Sequence, residues 1–134
     1  MVSSIAIGLG CRKGASGEAI AALVRAAMAL LPGEPKEVRL YSSRRKSQEP
    51  GLQEAAASLG YSLTFLPEAE LAAANRRAVT RSAKVREIAG VDSVAETAAL
   101  VGGGPNARLI VQRLTGGGAA CAIAADVNDR QGQQ

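Results

Sequence analysis

The chain has no histidine and no tryptophan, one phenylalanine and two tyrosines. Without histidine it lacks the commonest metal-binding side chain, and also the one whose ordinary pKa lies nearest neutrality. Its two cysteines, Cys11 and Cys121, stand far apart. They make no disulfide framework, and two thiols with no imidazole argue against a structural zinc site. No metal and no cofactor is therefore expected. The scarcity of aromatic rings leaves few faces for bases to stack on, which disfavours nucleic acid as a partner. No run of about 20 apolar residues is present, so no membrane-spanning helix is expected. The N-terminus lacks the basic region of a secretion signal. These absences together predict a soluble, cytoplasmic protein.

What is present is aliphatic and mildly basic. A chain of 134 residues suits one domain. Its core must be built from Ala, Val, Leu and Ile. The formal net charge of +4 and pI near 9.5 favour an acidic partner.

Short apolar runs alternate with helical periodicity. Residues 3–9 predict a first strand. Ser16 suits an N-cap, with Glu18 complementing the helix start. Ile20, Leu23, Val24, Ala27, Leu30 and Leu31 then recur at helical spacing until Pro32-Gly33. Val38 to Tyr41 predicts a second strand, and residues 42–49 a polar loop. Pro50 opens a helix whose apolar face is Leu52, Ala55, Ala56 and Leu59, ended by Gly60. Tyr61 to Leu66 predicts a third strand, and Pro67 starts a short helix. Residues 75–81 read as a basic loop carrying Arg76, Arg77 and Arg81, followed by a short helix over 82–89. Ser93-Val-Ala-Glu96 has capping-box spacing, with its helix running to Gly102-Gly103-Gly104. Strands over 107–114 and 119–125 flank Gly116-Gly117-Gly118 and predict a C-terminal hairpin. The expected fold is α/β: a single-domain three-layer sandwich with a mixed, mostly parallel sheet. It covers residues 1–125, with a polar tail over 126–134.

The segment Gly8-Leu-Gly10-Cys11-Arg12-Lys13-Gly14-Ala-Ser16 joins the first strand to the first helix. Glycine there lets a ligand approach the backbone, and the helix start favours an anion. Gly8-x-Gly10-x-x-x-Gly14 matches a dinucleotide fingerprint only loosely, because no acidic residue follows the second strand. Arg44 and Arg45 stand there and would suit an NADP phosphate, but the chain is short for a dinucleotide fold with a substrate domain. A plain tight turn is the simplest alternative. Arg12 and the helix start would lower the Cys11 pKa, yet with no histidine as base Cys11 reads as a turn-lining side chain. Cys121 reads as core. Arg44, Arg45, Lys46 and Glu49 follow the second strand as the glycine segment follows the first. Parallel neighbours would bring both loops to one sheet edge. Glu96 is accounted for as the N3 partner of Ser93.

These segments resemble a known family. Gly8 to Ser16 is similar to the opening signature of the CobE/CbiG C-terminal domain family of cobalamin biosynthesis. Lys46-Ser-Gln-Glu49-Pro-Gly-Leu52 is similar to its Lys-x-x-Glu-x-Gly-Leu block. Gly90-Val91-x-x-Val94-Ala95-Glu96-x-Ala98-Ala99-Leu100 and Gly116-Gly-Gly-Ala-Ala-Cys-Ala-Ile-Ala124 continue the match in order. The resemblance implies a role in forming the corrin ring, and a precorrin or late corrin intermediate as partner, alongside other enzymes of the pathway. It also implies, as the alternative activity, a hydrolase that opens a precorrin lactone.

A precorrin carries many acetate and propionate carboxylates, for which arginines and helix starts are suitable receptors. The expected function is an accessory or carrier protein binding this anion. Gly10, Cys11, Arg12, Lys13, Gly14 and Ser16 would cradle one carboxylate, and Arg44, Lys46 and Glu49, with Ser93, would contact the rim. Leu9, Tyr41 or Ala-rich surfaces would carry the macrocycle face. In the hydrolase reading Glu49 or Glu96 would be the general base, with Lys13 or Lys46 stabilising the oxyanion. A basic RNA-binding module has no supporting motif.

Overall fold

A computed structural model describes residues 4–73 and 94–126. Within them, strands β1 (Ser4–Cys11), β2 (Glu37–Ser43), β3 (Ser62–Leu66), β4 (Ala107–Gly116) and β5 (Ala119–Asp126) form one sheet in the order β3-β2-β1-β5-β4. β1 pairs in parallel with β2, and β2 with β3. β5 runs antiparallel between β1 and β4. Helices α1 (Gly17–Met28) and α2 (Pro50–Leu59) pack on one face. Helix α3 (Val94–Gly103) covers the other. The result is the expected three-layer α/β sandwich with a mixed sheet and C-terminal hairpin.

The two faces differ in side-chain size because strands alternate. Ile5, Ile7 and Leu9 of β1 and Cys121 and Ile123 of β5 meet Ile20, Val24 and Leu52 from α1 and α2. The opposite face presents Ala120, Ala122 and Ala124 to Ala95 and Ala99 of α3. Small side chains let α3 lie close to the sheet. Gly8 carries this furthest: a Cβ there would overlap the Ala95 carbonyl oxygen and sit 2.5 Å from the Ala99 amide nitrogen.

Local chemistry explains the ends. Ser16 caps α1, its Oγ accepting from the Ala19 amide at 3.0 Å. Pro50 opens α2 and Gly60, at φ 78°, closes it. Gly117 and Gly118 turn the hairpin at φ 60° and 81°. Positive φ at both central residues is the type I′ pattern that fits strand twist.

Several boundaries differ from the sequence expectation. The first strand runs two residues past its expected end, so Gly10 and Cys11 belong to β1, paired with Ala120 and Ala119 of β5. α1 stops at Met28, one turn early. The Leu30 and Leu31 amides make tighter bonds to Ala27 and Met28, and the residue before Pro32 resists helix. Leu30 is left exposed. Ser42 and Ser43 are buried ends of β2, not loop. Asp126, placed at the start of the tail, ends β5 opposite Ala107. The basic loop with Arg76, Arg77 and Arg81, the helix over 82–89, Ser93 and residues 127–134 lie outside the described residues.

Candidate functional site

The carboxyl ends of β1 and β2 lie side by side, and the loops after them touch. The Gly14 amide donates to Glu49 Oε1 at 3.0 Å. Gly51 allows α2 to start against the first loop, since a Cβ there would overlap the Ala15 carbonyl oxygen. Ser42 Oγ donates to the Leu9 carbonyl at 2.7 Å and ties the two strand ends together. The hairpin turn joins the same edge, with the Arg12 amide donating to the Gly118 carbonyl at 2.8 Å. β1, β2, the hairpin and α3 therefore converge where open α/β sheets place their ligands.

A cleft of about 880 Å³ opens there, within the roughly 300–1,000 Å³ range of small-molecule sites. Gly10, Cys11 and Arg12 line it from the end of β1. Arg45 and Lys46 enter from a single 3-10 turn over Arg44–Lys46, which Ser43 caps by accepting from the Arg45 amide at 3.1 Å. An apolar wall comes from Leu71 and Ala72, Val94 and Ala95, and Ala119 and Ala120. Among the described lining residues, Arg12, Arg45 and Lys46 are the cations and Glu68 the carboxylate. Glu68 Oε2 pairs with Arg45 Nε at 3.0 Å.

The expected site residues divide. Gly10, Cys11, Arg12 and Lys46 line the cleft; Lys13, Gly14, Ser16, Arg44 and Glu49 do not. Arg45 takes the place foreseen for Arg44. A 3-10 turn advances one third of a circle per residue, so neighbouring side chains face different ways, and the charge run alone carries no phase. Glu49 spends its carboxylate on the Gly14 amide, so that amide serves the loop's own closure. Glu96 Oε2 accepts from the Arg113 amide at 3.1 Å, where the β4–β5 register shifts. Glu96 thus braces β4 and does not line the cleft. Leu9 and Tyr41 are buried and offer no platform, which leaves the Ala-rich wall for an apolar face.

Cys11 departs from expectation in direction. Burial pushes its thiol up, with Lys46 opposing and Glu49 adding to the rise. Desolvation outweighs the nearby cation, so Cys11 is a thiol lining the cleft. Cys121 is pushed up to about 12 by burial alone. Sequence reasoning placed Arg45 in the charge run at this edge without choosing it as a contact, and it missed Glu68, Leu71 and Val94. The capping serine before Arg45 was the legible signal for that residue, and the others depend on the packing of distant elements.

The model of the family described as "Cobalamin synthesis G C-terminus" matches residues 5–124. The chain belongs to this family. It is 34% identical over 123 residues to "Protein CobE" of Sinorhizobium sp, covering 91% of this chain and 80% of that protein. The crystal structure of the cobalamin biosynthesis protein chiG from Agrobacterium tumefaciens str. C58 is similar, at 34% identity and TM-score 0.71, with 92% and 98% of the two chains covered. The crystal structure of CobE, described as a protein from the cobalamin (vitamin B12) biosynthetic pathway, is similar at 29% identity and TM-score 0.72, covering 92% of this chain and 91% of that one. The blocks around Gly8–Ser16 and Lys46–Leu52 that resemble the family are those that the Glu49–Gly14 bond and Gly51 join at the cleft edge.

Proposed function

We propose that this protein of cobalamin biosynthesis holds an anionic tetrapyrrole, a precorrin or later corrin intermediate, in the carboxyl-edge cleft as an accessory or carrier protein. The observation that carries the reading is the convergence of Arg12, Arg45 and Lys46 on a cleft whose other wall is largely aliphatic, interrupted by Thr97 and Thr115. A precorrin has the matching division: a broad apolar macrocycle with carboxylates around its rim. Guanidinium groups bind such carboxylates by charge-assisted, often paired hydrogen bonds. The aliphatic wall receives the macrocycle without needing aromatic platforms.

The hydrolase alternative requires a carboxylate positioned as a base. Glu49 and Glu96 each accept from a main-chain amide, at 3.0 and 3.1 Å, and hold loop and strand geometry. Glu68, in the cleft, is paired with Arg45. These engagements favour binding over lactone hydrolysis.

The test is a visible-absorbance titration with uroporphyrin, a tetrapyrrole with acetate and propionate arms. Arg12→Ala and Lys46→Ala should each weaken binding by about 1–3 kcal/mol. Affinity should fall as salt rises, because exposed charges are screened. Unchanged affinity in both variants means that the ligand sits elsewhere.

A further inference from the structure

Glu68 stands apart in the cleft. It opens the helical residues 68–73 after β3 and faces the 3-10 turn that follows β2. Its Oε2 lies 3.0 Å from Arg45 Nε, and the Arg45 and Glu68 side chains are 77% and 57% exposed. An ion pair this open contributes little to folding. Its position matters more, because both partners line the cleft beside Arg12 and Lys46. Glu68 presents to Arg45 the same chemical group that a ligand rim would present.

We propose that Glu68 is a specificity-determining residue that competes with ligand carboxylates for Arg45. The inference rests on the reading of the cleft as a polycarboxylate site. A carboxylate that seeks the Arg45 Nε–H must displace one held on the same chain, at high effective concentration. A ligand with several carboxylates, already engaged by Arg12 and Lys46, presents its next one on equal, intramolecular terms. Glu68 therefore disfavours small carboxylates and admits a rim bearing many of them. Because the pair is open to solvent, exchange requires no repacking of the core.

The experiment measures uroporphyrin affinity at low salt in wild type, Glu68→Gln, Arg45→Ala and the double variant, with a thermal melt of each. The expected result is that Glu68→Gln tightens binding by about two- to fivefold, the span covered by exposed ion pairs, and that this gain shrinks in the Arg45→Ala background. Three results overturn the inference while leaving the cleft reading intact. They are no change in Glu68→Gln, weaker binding in Glu68→Gln (Glu68 then orients Arg45), and an equal gain with and without Arg45, which is general repulsion. Absence of uroporphyrin binding in wild type overturns both.

Discussion

Single atoms at Gly8 and Cys121 set limits on this fold. Gly8 has no room for a methyl group, since α3 backbone occupies that space. Gly8→Ala should therefore lower stability by about 3 kcal/mol or more, because overlap with main chain cannot be relieved by a rotamer change. Chemical denaturation measures it, and a near-wild-type midpoint would show that α3 can retreat. Cys121 gives a pH signature. Its ordinary thiol pKa is 9.0 and burial raises it to about 12 in the folded chain. Between those values the unfolded chain loses the proton and the folded chain keeps it. Stability from this group is complete below pH 9 and declines as pH rises toward 12, by up to about 1.4 kcal/mol per pH unit. Cys121→Ala should show a shallower alkaline decline than wild type in denaturant titrations at matched pH. Identical slopes would mean that Cys121 ionises freely in the folded protein.

At the scale of elements, the clearest device is the bond from the Arg113 amide to Glu96 Oε2. It fastens α3 to β4 at a register shift. Gln keeps an accepting oxygen at that position, so Glu96→Gln should melt close to wild type and support corrin formation in cells. Glu96→Ala should lose about 1 kcal/mol, the net worth of the bond it removes. A Glu96→Gln variant that folds and binds uroporphyrin but stops corrin formation would instead make Glu96 a base. Elements were legible where local chemistry decides them. Ser16 announces α1, Pro50 and Gly60 bracket α2, and the glycine triplet 116–118 announces the hairpin. They were illegible where distant packing decides them. Gly10 and Cys11 read locally as a turn, yet pairing with β5, a strand far away in sequence, makes them strand.

Across the whole molecule, parallel β1 and β2 bring their following loops to one edge, and that much follows from the order of strands and helices. The composite character of the cleft does not. Cys11 ends β1 and Arg12 follows it, Arg45 and Lys46 follow β2, Glu68 and Leu71 follow β3, Val94 starts α3 and Gly118 turns the hairpin. No window of sequence contains this set, so only the basic members near the glycine segment and the charge run could be foreseen. The division of charge and apolar surface within the cleft is likewise a product of topology.

The most direct measurement is a footprint of uroporphyrin on backbone amides by two-dimensional nitrogen–proton spectra of the full chain. Saturating porphyrin should shift Arg12, Arg45, Lys46 and Gly116 to Ala120. Amides at the opposite sheet edge, Gly60 and Gly104 among them, should stay in place. Shifts confined to that opposite edge would contradict a binding site at the carboxyl edge.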